Sequence, residues 1–354
     1  MLFTCISNKF MLKFKYIIPK EISFMITLQK APDRDFKILN LADVQMGNNE
    51  WQEGHKFRAI LDTTLDALIE KVKPDLITLS GDQAWCGDYD SLEMLANRLD
   101  VYGIPYALVW GNHDQEGGAE KVIGAEDLFK KHSLFLYESG PRELGFGNYV
   151  ILIKENDTPV SALIMMDSHD HAHYYNEKGE EVFAWGKTPA WGKLYPEQLV
   201  WYKEQIEELK SLGCNDSTVI MHIPCYAYRD AFSAAHNEEN GPKTIEESYQ
   251  SEHWNKGYED SFGLLLEGIC SYPADRGEFD AFLESNHTRN VLVGHDHKNC
   301  FSINYKGVRL TFAVKTGAGC YWTPEMNGGT TITVNKNGTK VEHHFIDVSH
   351  LLAE

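Results

Sequence analysis

Apolar residues recur along this chain in two rhythms. Five short, mostly apolar runs, Lys37–Asp43, Asp75–Asp82, Pro105–Asn112, Ser217–His222 and Asn290–His295, have the composition of strands buried on both faces. Between them the spacing changes to three and four residues. Phe57, Leu61, Leu65, Leu68 and Val72 predict one amphipathic helix, and Leu199, Tyr202, Ile206 and Leu209 predict another that starts at Pro196 and stops at Gly213. The alternation predicts β-α units with parallel strands. Asn148–Asn156 and Pro159–Asp167 predict a meander turning at Asp157. Toward the C-terminus, Cys300–Tyr305 with Val308–Lys315, and Thr330–Val334 with Lys340–Ile346, flank Lys306-Gly307 and Asn337-Gly338 and predict two hairpins.

Each of the five buried runs ends on polar chemistry: Asp43-Val-Gln45, Gly81-Asp82, Gly111-Asn112-His113-Asp114, His222, and Gly294-His295-Asp296-His297. In open α/β sheets the carboxyl ends of the strands share one crevice, so residues remote in sequence can converge there. Singly these signals are weak. Gly-Asp and Gly-Asn are ordinary turn chemistry, and a lone histidine on an apolar strand is more often a hydrogen-bonded core residue. Jointly, Asp43, Gln45, Asp82, Asn112, His222, His295 and His297 supply the oxygen and nitrogen donors that two divalent metal ions (Mn, Fe, Zn or Mg) about 3.5–4 Å apart require, one carboxylate bridging them.

In this order the series resembles the calcineurin-like metallophosphoesterase superfamily, from Asp43 to His297. The resemblance implies an α/β fold, the four-layer α-β-β-α sandwich of two mixed sheets. It also implies that Asp43, Asp82 and His297 hold one metal and that Asp82, Asn112, His222 and His295 hold the other. His113 would donate a proton to the leaving group, with Asp114 as its orienting partner. The implied reaction is hydrolysis of a phosphate ester through a hydroxide bridging the two metals, expected here as a phosphomonoesterase. A phosphodiesterase on the same core, or a non-catalytic metal-binding interaction module, is the alternative. Two departures from the family pattern matter. Gln45 stands where the family has histidine, which predicts a first site that prefers harder ions. Trp85 stands where purple acid phosphatases carry a tyrosine iron ligand, so a tyrosinate-bound iron is not expected.

Composition narrows the rest. The 354 residues, 43% hydrophobic and 12% aromatic, suit one large domain, expected over residues 31–354 after an N-terminal extension at 1–30. A net charge of -19 disfavours a nucleic-acid surface, which needs clustered Lys and Arg, while leaving a phosphate substrate open because bound metals bring their own charge. The seven scattered cysteines lack any Cys-x-x-Cys pair and read as free thiols of a reducing, cytoplasmic protein, with a secreted protein the alternative left open by the N-terminal segment. No apolar run is long enough for a membrane helix. Expected partners are therefore a phosphorylated small molecule or a phosphoprotein, with neither nucleic acid nor membrane. Tyr226–Ser271 is long, aromatic and without strong periodicity, and is expected to form a lid-like insertion. Trp85, Tyr226 and Asn299 are expected to touch substrate, and Asp167–His173 reads as a polar loop near the pocket rather than a third metal site.

Overall fold

The structure, a computed structural model, describes residues 25–184 and 188–352. Its first strands are β1 (Ile26–Lys30), β2 (Phe36–Leu41), β3 (Leu76–Ser80), β4 (Tyr106–Val109), β5 (Tyr149–Glu155) and β6 (Thr158–Met165). Three short strands come next, β7 (His171–Ala172), β8 (Phe183–Ala184) and β9 (Thr188–Trp191). The rest are β10 (Ser217–Ile220), β11 (Thr288–Val293), β12 (Ser302–Tyr305), β13 (Val308–Phe312), β14 (Gly328–Asn335) and β15 (Gly338–Phe345). They form a seven-stranded sheet in the order β1-β5-β6-β10-β11-β13-β12, a five-stranded sheet in the order β15-β14-β2-β3-β4, and a small sheet β7-β9-β8.

Alternation along single strands explains the layering. Ile151, Ile153, Leu163, Met165, Ile220 and Leu292 of the larger sheet share an apolar cluster with residues of the smaller one, such as Ile38, Ile77 and Leu79. Their neighbours Val150, Leu152, Ile164, Val219, Val291 and Val293 point the other way, into a second cluster with Tyr202, Ile206, Tyr228 and Phe282. The latter four lie on helices Pro196–Ser211, Ala227–Ala235 and Glu278–Glu284. Helix Lys56–Val72 buries Leu61, Leu65, Leu68 and Val72 against the smaller sheet, with Phe57 packed beside them, the stripe its spacing predicts; Ile60 packs instead with Ala318 and Val348. Helix, sheet, sheet and helix are the four layers of the sandwich.

Two differences from the sequence reading, and one detail it left open, have physical causes. Residues 26–30, counted within the extension, form β1, which pairs in parallel with β5 at the sheet edge; residues 1–24 lie outside the described residues. The two C-terminal hairpins do not pair with each other. The first joins the larger sheet by parallel pairing of β13 with β11, and the second joins the smaller sheet by antiparallel pairing of β14 with β2, so each completes a different sheet. The segment expected to be a lid mostly covers the outer face of the larger sheet: the Tyr228 hydroxyl donates to the Val291 carbonyl at 2.9 Å, Trp254 is buried, and Phe262 bridges to Ser302. Amphipathic packing there is spread over very short helices, too short for periodicity to show in sequence.

Candidate metal centre

The strands deliver their terminal side chains to one point because β2, β3 and β4 run parallel, and β10 and β11 run parallel in the facing sheet. The turns after these strands are tight. Asp43, Gln45, Asp82 and His295 all adopt left-handed backbone, with φ of 55°, 45°, 53° and 78°. For non-glycine residues such angles cost roughly 1–3 kcal/mol each and persist only where surrounding structure imposes them. The glycines before the polar residues serve packing as well as turning. A Cβ on Gly81, whose φ is +97°, would fall 2.2 Å from His222 Nδ1, and one on Gly111 would fall 2.1 Å from Asp82 Oδ1. Each glycine is a slot through which a side chain from another strand passes.

Asp43, Gln45, Asp82, Asn112, His222, His295 and His297 are all buried and come together. Ligand-capable atoms of Asp82, His222 and His295 lie within 4.8 Å of one another, as do those of Asp43, Asp82 and His297, so Asp82 belongs to both groups. Around His222 Nε2 stand Asn112 Oδ1 at 3.0 Å, His295 Nδ1 at 3.2 Å and Asp82 Oδ1 at 3.4 Å. His222 Nδ1 is committed to the Ser80 carbonyl at 2.9 Å, and His297 Nδ1 to the Tyr321 carbonyl at 2.8 Å, which directs each Nε2 inward. The Asp43 carboxylate accepts the His295 backbone N–H at 3.0 Å, tying the two sheets together at the site.

Two observations favour a pair of cations at this place. Both amide atoms of the fully buried Gln45, and His295 Nε2, have no hydrogen-bond partner, whereas buried polar groups nearly always have one. The donor set of carboxylate, amide and imidazole suits hard and borderline divalent ions. Electrostatics agree. Burial alone would raise the Asp82 carboxyl, but the His222, His113 and His295 imidazoles outweigh it and hold the group well below the usual carboxylate range. Burial pulls His222 down, yet the Asp82 charge wins and lifts it to about 9. Asp43 is raised to about 6 by burial and by the neighbouring Asp82 charge, a cost that a bound cation would relieve.

The sequence model "Calcineurin-like phosphoesterase" matches residues 36–299. The chain belongs to this family. The chain is 27% identical over 305 residues to a Saccharomyces cerevisiae protein named Phosphatase DCR2, a match covering 78% of this chain and 46% of that protein. The chain thus spans about half the length of that relative. It is 24% identical over 346 residues to an Arabidopsis thaliana protein named Probable inactive purple acid phosphatase 28, covering 88% of this chain and 78% of the relative. The crystal structure of a dimetal phosphatase from Danio rerio superposes with a TM-score of 0.56 at 12% identity, covering 88% of this chain and 97% of that one, a likeness of fold.

The remaining sequence candidates separate. His113 lines a cavity of about 300 Å³ beside the centre, as does Trp85. Asp114 is not the partner of the His113 ring. Its buried carboxylate accepts backbone N–H groups of Gly111 at 2.8 Å, Gln83 at 3.0 Å and Ala84 at 3.2 Å, clamping the turns after β3 and β4 together. Burial, then the Asp82 charge, raises Asp114 to about 8. The partner of His113 Nδ1 is Glu116 at 2.5 Å. Asn299 is buried away from the cavity, donating to Asp296 and accepting from Leu266 and Glu267 N–H groups, and Tyr226 is not a lining residue. The polar loop at 167–173 does approach the site, since His171 stacks on Trp191, which lines the cavity.

Sequence reasoning missed Trp191, Glu116, Cys270, Cys320 and Lys315. The buried Lys315 ammonium donates to the Asp43 carbonyl. It ends the apolar run Val308–Lys315 as the other polar residues end theirs, a signal present in the sequence. Trp191 carries no such signal, because β9 is only four residues long and ends no extended apolar run.

Proposed function

We propose that this protein is a metal-dependent phosphoesterase, acting on phosphate monoesters through two divalent cations. The observation that carries the reading is the sharing of the buried Asp82 between two ligand groups, Asp43/Asp82/His297 and Asp82/His222/His295. Asn112 completes the second group and Gln45, backbone-bonded to Asp82, stands beside the first. Cations bound there would neutralise charge on phosphoryl oxygens and lower the pKa of water.

The chain's own residues supply the remainder. His113, hydrogen-bonded through Nδ1 to Glu116, presents a ring whose other nitrogen can hand a proton to the departing oxygen. Its backbone N–H donates to Asp82 Oδ1 at 2.9 Å, so proton donor and metal carboxylate are positioned as one unit. Asp114 holds the two turns that carry Asp82 and Asn112 in register.

Purified protein loaded with Mn²⁺ or Zn²⁺ is expected to bind two metals per chain and to hydrolyse para-nitrophenyl phosphate, and Asp82→Asn is expected to abolish both. Two bound metals with no turnover of any ester would refute the enzyme. Turnover of bis(para-nitrophenyl) phosphate alone would replace monoester by diester, and one metal or none without turnover would leave a binding module.

A further inference from the structure

Three aromatic rings from distant parts of the chain line the cavity, and each packs on an imidazole of the centre. Trp85 meets His113 edge to face at 4.4 Å between ring centres, Trp191 meets His295 edge to face at 4.5 Å, and Tyr321 stacks on His297 at 4.2 Å with planes 20° apart. They come from the turn after β3, from β9 and from the loop after β13. Each of the last two is braced. His171 stacks behind Trp191 at 5.3 Å, and the Tyr321 hydroxyl donates to Glu267 at 3.2 Å.

Charge on the walls has the opposite character. Among the described residues, the other lining groups are Asp82, His113, Cys270, His295, Asp296, His297 and Cys320, with no lysine or arginine. Lys315, the nearby buried cation, is turned to the Asp43 carbonyl. Sites that grip phosphate chains or isolated phosphate with protein groups do so mainly with Arg and Lys forks and points of charge. Here the metals are left to meet the reacting phosphoryl group, and what lies beside it meets aromatic rings.

We propose that this cavity selects a small phosphate ester whose organic part carries a flat ring next to the phosphoryl group, held by Trp85, Trp191 and Tyr321. The proposal rests on the phosphoesterase reading and specifies its substrate class. A volume of about 300 Å³ admits a ring and a phosphate, the lower end of the usual range for small-molecule sites. Additional phosphates on the substrate would face Asp296 and find no cation among the lining groups, the neighbouring Lys298 ammonium lying 5.6 Å from the Tyr321 ring centre, which disfavours polyphosphates. Offset or edge-to-face ring contacts of this kind, desolvated on a rigid wall, correspond to about tenfold in affinity.

The test is calorimetric titration of the Mn²⁺-loaded protein with phenylphosphonate and methylphosphonate, which are not hydrolysed and differ by the ring. Phenylphosphonate is expected to bind about tenfold more tightly, the ratio falling toward one in Trp191→Ala and Tyr321→Ala and surviving in Trp191→Phe. Equal affinities in the unaltered protein, or no binding of either compound, overturn the proposal, and neither result depends on any variant folding. Turnover of para-nitrophenyl phosphate, measured on the same preparation, reports separately on the hydrolytic reading. Ring preference without turnover would keep this site and remove the reaction. Turnover with equal phosphonate affinities would do the reverse.

Discussion

The 2.5 Å contact between His113 Nδ1 and Glu116 is the residue-scale feature on which proton delivery turns. The Glu116 carboxylate also accepts from the Cys86 thiol, and neither of these hydrogen bonds goes to a metal-ligand residue. Glu116→Gln is therefore expected to leave metal content unchanged and to lower kcat by roughly tenfold on alkyl phosphates. The effect should be small on para-nitrophenyl phosphate, whose leaving group needs little proton help. Equal losses on both substrates, measured by initial rates with metal content determined in parallel, would place Glu116 in a structural role instead. Gln45 yields a second prediction. Its fully buried amide has no hydrogen-bond partner and offers a neutral oxygen donor. Gln45→His is expected to shift selectivity toward Zn²⁺ over Mn²⁺ in competitive metal titration. Identical selectivity in the two proteins would show that this side chain is not a ligand.

At the scale of elements, the β14–β15 hairpin contains a buried histidine that makes the fold sensitive to acid. His343 Nδ1 accepts from the Thr330 hydroxyl at 3.0 Å and Nε2 donates to the Cys300 carbonyl at 2.6 Å, a pattern that suits the neutral ring. Burial, against the opposing pull of that carbonyl, drops its pKa to about 3. Proton counting gives the sign. Below about pH 6.5 the unfolded chain takes up a proton that the fold refuses, so the stabilisation is complete above that pH and declines as pH falls toward 3. Between pH 7.5 and 5.0 the loss from this group is at most about 2 kcal/mol. His343→Gln, which can make both hydrogen bonds, is expected to lose correspondingly less stability over the same interval in urea unfolding. Parallel pH dependence in the two proteins would remove His343 as the cause. The elements themselves were readable to different degrees. Helix Lys56–Val72 and helix Pro196–Ser211 were visible because each stripe is long enough to establish its period. The 226–271 segment was not, because it buries Tyr228 and Trp254 from short pieces that have no period.

At the scale of the whole molecule, the folded chain buries Asp43, Asp82, His222, His295 and His297 at the junction of its two sheets while carrying a net charge of -19. Cations that bind this arrangement and not the unfolded chain must stabilise it, by roughly 2.7 kcal/mol at a free concentration a hundredfold above Kd. Adding Mn²⁺ to chelator-stripped protein is expected to raise the thermal midpoint by a few degrees, and Asp82→Asn is expected to remove the rise. A midpoint indifferent to Mn²⁺ in the unaltered protein would mean that the junction does not bind it.

The ligand types and their order were legible in the chain itself. Each comes directly after an apolar run whose length and composition oblige it to be a buried strand, and a buried strand delivers its next residues to a sheet edge. Convergence was not legible. That Asp82 would be shared by two groups, that Gly81 would be a slot for His222 and that Trp191 would wall the cavity depend on packing between different sheets, while the Gly111 slot for Asp82 depends on the pairing of β3 with β4 and the choice of Glu116 over Asp114 for the His113 ring on a local helical turn. Periodicity reports which side of an element is buried, but not which element buries it. The distance between side chains from different strands is set only when the sheets close over a common core.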